Sequence, residues 1–158
     1  MFADICFTDI ELLTNYQSLT PAAQRELLDY LRYLLCKQYK RDVMVAVFHN
    51  KLLSNLLHSL IHIIEREELN IQQITRRVMQ IKELYYDAFE KVHSKYAELI
   101  EDLDSSETVI EFGRNGFANL EQALRSQNPG RIKMEIIDFY QGFDSLSRHR
   151  GMCKIVAV

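Results

Sequence analysis

The chain has 158 residues, of which 47% are hydrophobic and 26% charged, so it can bury a core and is not intrinsically disordered. Its 19 basic and 22 acidic residues give a net charge of −3, which argues against a strongly basic nucleic-acid-binding domain. The three cysteines, Cys6, Cys36 and Cys153, lie far apart and indicate neither a zinc knuckle nor a disulfide framework.

Targeting signals are not recognised in the sequence. Residues 1–4 carry no basic segment, and acidic residues interrupt the apolar ones, so no signal peptide is expected. No run approaches ~18 uncharged apolar residues, which predicts that the chain does not enter a membrane. Together with cysteines that read as reduced thiols, this predicts a cytoplasmic protein.

Glycine and proline are rare and unevenly placed. Residues 22–112 contain neither of them. A β-protein of this length needs turn residues, whereas helices joined by polar breaks do not. The sequence therefore predicts an all-α fold.

Two helices are predicted in residues 9–41, after a short apolar N-terminal arm. Thr8 and Glu11 fit a capping box ahead of a helix over residues 9–17. Thr20-Pro21 is a second start signal, and the helix that follows ends in basic residues. Its apolar face offers more surface than one helix edge needs, which predicts a partner-binding surface formed by Leu27, Leu31, Leu34 and Leu35.

The same segment carries a family resemblance. The residues concerned are Ile10-Glu11-Leu12-Leu13, Tyr16 and the stretch 19–35. They resemble the C-terminal tail of bacterial helix-turn-helix repressors, in which a short helix, a Leu-Ser/Thr turn and an amphipathic helix mediate oligomerisation. The resemblance covers residues 10–41 and does not include a DNA-reading motif. It implies self-association, or docking onto a regulator.

A long antiparallel helical hairpin is predicted over about residues 43–104. Residues 43–48 are an ambiguous apolar run, and helix is favoured over strand because no turn residue separates them from the helical pattern that follows. Asn70 is a predicted cap for the second arm, which would be ~50 Å long if unbroken to Asp104. This arm has apolar residues at heptad spacing, typical of a coiled coil, at Ile71, Ile74, Val78, Ile81, Tyr85, Ala88 and Val92.

Residues 106–147 predict a C-terminal helix pair, divided by the turn at Asn128-Pro129-Gly130. Gly113 and Gly116 either weaken the first of these helices or mark a close helix crossing. The apolar runs at the two chain ends, residues 5–7 and 153–156, are expected to pack on the bundle or insert into a partner. The whole chain, 1–158, is predicted to be one helical domain with a tail at 148–158.

Two sets of histidines suggest alternative functions. His58 and His62 have metal-ligand spacing on one helix face, and Glu90 and His93 form a Glu-x-x-His motif of the kind used by di-iron bundles. A second such motif is absent, so a metal-binding bundle is only an alternative. His49, near the start of the hairpin, suggests a histidine phosphotransfer bundle, although the acidic neighbour usual at such a site is missing.

Other chemistry has little support in the sequence. There is no G-x-S-x-G elbow, no P-loop and no dinucleotide fingerprint, so no enzyme is predicted and no cofactor is implied. Basic residues cluster at 37–41, 76–77 and 148–154, and direct nucleic-acid binding is an alternative that is not favoured. The leading interpretation is a non-catalytic bacterial regulatory or adaptor protein that acts through helix–helix docking, with another protein or with itself as a homodimer.

Overall fold

The computed structural model describes residues 7–104 and 106–148, and this part of the chain is all-α, as predicted, with no strand. Its six helices are α1 (Phe7–Ser18), α2 (Pro21–Phe48), α3 (Lys51–Ile64), α4 (Ile71–Ala97), α5 (Glu107–Ser126) and α6 (Pro129–Arg148). The predicted packing of the chain ends falls largely on residues 1–6 and 149–158, which lie outside the described residues. None of the described helices combines the length and hydropathy needed to cross a bilayer.

The chain divides into two compact units, Met1–Lys37 and Gln38–Val158. The sequence analysis predicted one helical domain over residues 1–158, with its first segment ending at residue 41, and this stays a prediction. The division falls inside α2, a continuous helix from Pro21 to Phe48, so no proline, glycine or change of secondary structure marks it. Such a boundary depends on which residues make tertiary contacts with one another, and the local sequence does not show these contacts.

The first unit contains α1 and the first half of α2. Thr20 caps α2 as predicted, because its Oγ1 accepts a hydrogen bond from the Ala23 amide at 3.2 Å. The turn is closed by Gln24, whose side chain donates to the Tyr16 carbonyl oxygen at 3.0 Å. At the other end, α1 already includes Thr8, so the predicted capping box does not start this helix.

In the second unit, α3, α4, α5 and α6 form a closed antiparallel four-helix bundle. Each helix packs against two of the others, in the order α3, α4, α5, α6 and back to α3. Two contacts show that α4 and α5 run antiparallel. Lys82 Nζ lies 2.6 Å from Glu121 Oε1, and Tyr86, further along α4, contacts Phe117, which comes earlier in α5. The predicted antiparallel hairpin is present as α3 and α4, over Lys51–Ala97.

The ambiguous run at residues 43–48 is helical, as favoured, and it forms the end of α2 rather than the first arm of the hairpin. Val43 and Val47 are fully buried, one turn apart. Phe48 lies among three aromatic rings of the bundle, with centroid distances of 5.1 Å to Phe143, 5.5 Å to Phe112 and 6.2 Å to Tyr85. The end of α2 therefore contributes to the core of the second unit.

Helix α4 supplies the longest buried stripe of the bundle. Asn70 caps it, accepting a hydrogen bond from the Gln73 amide at 3.1 Å. Its buried residues are Ile74, Val78, Ile81, Tyr85, Phe89 and Tyr96, which departs from the predicted heptad after Tyr85. Phe89 is buried where the heptad required Ala88, because a straight helix drifts relative to a 3.5-residue repeat. The helix ends at Ala97, seven residues before the predicted limit.

Two glycines of α5 permit close packing, which confirms the alternative of a close helix crossing. A Cβ atom on Gly113 would lie 2.7 Å from Tyr85 Cε1, and one on Gly116 would lie 2.6 Å from Phe139 Cε2. Both distances are too short for carbon atoms in contact. The aromatic rings of α4 and α6 therefore fill the space that α5 leaves free.

Candidate interaction surface

The described part of the first unit, residues 7–37, has no buried residue. Helix α1 contains none, and all four buried residues of α2 lie beyond Lys37. The second unit, by contrast, has a buried stripe on every helix. Residues 7–37 thus form regular helices without the hydrophobic core that normally stabilises them.

Large apolar side chains are exposed along both helices of this unit. Phe7 has 82% of its surface exposed and Leu12 65%. The large apolar side chains exposed in the unit are Phe7, Ile10, Leu12, Leu13, Leu19, Leu28, Tyr30, Leu31, Tyr33 and Leu34. We call these ten residues the exposed apolar surface. Soluble monomers rarely expose so many large apolar side chains in one short segment, and exposed apolar patches usually mark an interaction site.

The predicted partner-binding leucines lie partly within this surface. Leu31 and Leu34 are 46% and 39% exposed, whereas Leu27 and Leu35 are half-buried. All four fall on one side of α2, which is the arrangement that their spacing predicted.

Sequence reasoning missed the contribution of α1 and of the α2 tyrosines. Ile10 and Leu13 of α1 are each more than half exposed. Tyr30 and Tyr33 of α2 stack with ring centroids 6.3 Å apart and are both exposed. The sequence signal for this contribution is the density of apolar residues in α1, at Ile10, Leu12 and Leu13.

The electrostatics of the unit are nearly balanced. Residues 7–37 hold four acidic side chains, Asp9, Glu11, Glu26 and Asp29, and three basic ones, Arg25, Arg32 and Lys37. Because the signs are interspersed, the surface is not one that selects for a highly charged partner such as nucleic acid.

His49, the predicted phosphotransfer residue, lies between α2 and α3. It is half-buried, and its amide continues the helical pattern by donating to the Val45 carbonyl oxygen at 3.0 Å. Asn50 then caps α3 through hydrogen bonds from the Leu52 and Leu53 amides. His49 therefore occupies a helix junction, and phosphotransfer at this residue stays a prediction.

The residues of the predicted metal site fall into two separate groups. His58 lies beside Tyr140 of α6, with His58 Nε2 3.1 Å from the tyrosine hydroxyl, and His62 Nδ1 lies 3.4 Å from Glu65. His93 instead packs on Phe89 and shares a 2.8 Å hydrogen bond with the hydroxyl of Tyr39, while Glu90 is exposed. Within residues 7–104 and 106–148, no three histidine, cysteine or acidic side chains are grouped so as to hold a metal ion.

The contact between Tyr39 and His93 belongs to a structural cluster at the end of α4. Tyr96 donates a hydrogen bond to Asp42, and its ring lies 5.4 Å from that of Tyr39. Burial raises the pKa of the Tyr39 hydroxyl. Burial also raises the pKa of Tyr96, and the adjacent Asp42 carboxylate raises it further. The cluster attaches the last part of α2 to α4 through hydrogen bonds between side chains.

No family model, curated protein or solved structure matches this chain. The resemblance of residues 10–41 to repressor tails therefore stays a prediction.

Proposed function

We propose that this chain is a non-catalytic interaction protein that self-associates through residues 7–37. The observation that carries the proposal is a two-helix unit with an exposed apolar surface and no buried residue in its described part. Removing apolar area from water stabilises an assembly by about 25 cal/mol per Å². A surface of this kind therefore gains most when a second apolar surface covers it.

A second copy of the same unit is the partner that we infer for this surface. Association of two copies through these side chains would let each copy cover apolar residues of the other. Stable interfaces take roughly 20–30 residues from each partner, which is close to the size of the segment 7–37. The near balance of charge in this segment lets two copies approach without strong repulsion.

The resemblance of residues 10–41 to repressor oligomerisation tails supports the same interface from the sequence side. It also connects the protein with bacterial gene regulation, as a dimeric adaptor or regulatory factor rather than a DNA reader. The cytoplasmic location expected from the sequence is part of this proposal.

The test is the oligomeric state of the purified protein, measured by sedimentation velocity and light scattering over a wide range of concentrations. Leu31→Glu places a charge in the proposed interface, and two-fold symmetry introduces it twice. We expect the dissociation constant to rise at least about a hundredfold while the circular dichroism spectrum is retained.

The matched control is Leu52→Glu, since Leu52 of α3 is 57% exposed and lies outside the first unit. This variant should associate like the wild-type protein. A wild-type protein that is monomeric at every concentration would refute the proposal, as would equal association of the two variants.

A further inference from the structure

A cleft of about 600 Å³ lies in the second unit between α3 and α4, beside the turn that joins them. Its volume is within the range of small-molecule sites, ~300–1,000 Å³. Among its lining residues are the polar side chains Asn55, His58, His62, Arg66, Gln73 and Arg77. The cleft brings together the histidine pair of α3 and one arginine, Arg77, of the basic pair on α4.

The charge of the lining has one sign. Arg66 and Arg77 supply two permanent positive charges, and no aspartate or glutamate is among the lining residues. The hydrogen bond recorded for the Arg77 guanidinium runs to the neutral Gln80, at 3.1 Å from Nη1 to Oε1. The arginines therefore face the cleft without being neutralised there by a lining carboxylate.

The histidines have defined positions in this cleft. The ring of His58 packs against that of Tyr140 at a centroid distance of 5.5 Å, and its Nδ1 lies 3.5 Å from Ser54 Oγ. His62 is oriented by Glu65, which contacts its Nδ1 and leaves Nε2 for another partner. When protonated, His62 can thus donate from Nδ1 to Glu65 and from Nε2 into the cleft.

This environment is suited to an anion rather than a metal cation. Two guanidinium groups repel a cation, whereas their planar N–H donors match the oxygen atoms of a phosphate group. The side-chain amides of Asn55 and Gln73 add uncharged hydrogen-bond donors. The histidine spacing that first suggested a metal site places His58 and His62 on the lining of this cleft.

We propose that this cleft binds a phosphate group of a small phosphorylated ligand, with Arg66 and Arg77 as the charged donors. The cleft is larger than a single phosphate needs, so the ligand carries further groups that lie against α3. The site belongs to the second unit and does not depend on the self-association of residues 7–37.

The probe is inorganic pyrophosphate, titrated into the intact protein and followed by amide chemical shifts and by calorimetry. We expect saturable binding that shifts the resonances around the turn between α3 and α4 and that weakens with added salt. Arg77→Gln should weaken the binding about tenfold or more, since it removes a charge-assisted hydrogen bond.

The neighbouring residue supplies a matched control. Arg76 is exposed on α4 and does not line the cleft, so Arg76→Gln removes the same charge and should leave the affinity within about twofold. If circular dichroism shows that Arg77→Gln is unfolded, the binding test uses Arg66→Gln instead, since Arg66 is exposed. Equal losses in the Arg76 and cleft variants, or no saturable binding of pyrophosphate, would overturn the proposal.

A second arm distinguishes the source of the phosphate. Vesicles of phosphatidylglycerol are tested with and without pyrophosphate as a competitor. Binding that pyrophosphate displaces, and that Arg77→Gln weakens, assigns the cleft to a lipid headgroup. Binding of pyrophosphate without vesicle binding assigns it to a soluble phosphorylated ligand. Leu31→Glu should bind pyrophosphate like the wild-type protein, so failure of this proposal is distinguishable from failure of self-association.

Discussion

Ile81 tests whether the apolar stripe of α4 is the core of the bundle. Its side chain is 2% exposed, and Val78 and Tyr85, one turn away on either side, are buried with it. Ile81→Ala removes three carbon atoms, which at ~0.8 kcal/mol per buried methylene gives about 2.4 kcal/mol of lost transfer free energy. The cavity left behind adds to this loss, so the free energy of unfolding should fall by ~2–5 kcal/mol.

The measurement is urea unfolding at equilibrium, followed by circular dichroism. The midpoint should move to lower urea concentration with little change in slope, because the surface exposed on unfolding is nearly the same. Glu83→Ala is the control on the exposed face of α4, and its effect should stay within about 0.5 kcal/mol. If Ile81→Ala lost less than about 0.5 kcal/mol, the interpretation of α4 as a core helix would be wrong.

Two further predictions concern the aromatic core. Gly113→Ala should destabilise the protein by ~1–3 kcal/mol despite the better helix propensity of alanine, because its Cβ would lie 2.7 Å from Tyr85. Gly130→Ala should be neutral or stabilising, because its Cβ would lie 3.4 Å from its nearest neighbour. The same urea titration compares the two variants. Burial raises the pKa of Tyr85 above its ordinary value, as it does for Tyr39 and Tyr96. The contribution of these neutral hydroxyls to stability is therefore complete below pH ~10 and is lost as the pH rises further, at up to ~1.4 kcal/mol per pH unit for Tyr85. Urea midpoints that stay constant from pH ~9 to ~11 would contradict this, as would phenolate absorbance in which every tyrosine ionises near pH ~10 before the protein unfolds.

The elements that were predictable from sequence are those in which a local signal and a buried face coincide. Asn70 caps α4 as its position suggested, and the first four buried residues of that helix follow the predicted spacing. The end of α4 was not predictable from hydrophobic spacing, because Leu99 and Leu103 continue the pattern. Residues 98–104 contain four acidic side chains, which are unfavourable next to the negative C-terminal end of a helix dipole. Asp102 also adopts a left-handed backbone conformation, with φ of 52°.

The candidate sites show a similar limit. The leucines of α2 were recognised as surplus apolar surface from their spacing alone, but the larger surface that includes α1 required knowledge of burial. Sequence spacing could not predict that Arg77 lines the same cleft as His58 and His62, since Arg77 belongs to α4 and the two histidines belong to α3. Spacing within one helix correctly placed His58 and His62 on one face, since both line the same cleft.

The two units differ in burial: every helix of the bundle has buried residues, whereas residues 7–37 have none. The described helices of the second unit close into a ring around their own core, so this bundle needs no further apolar surface to cover it. Apolar side chains exposed to water favour aggregation unless they are covered, and this is the ground on which we propose an interface at residues 7–37. A substitution that removes association but leaves the unfolding transition of the bundle unchanged would separate these two roles within one chain.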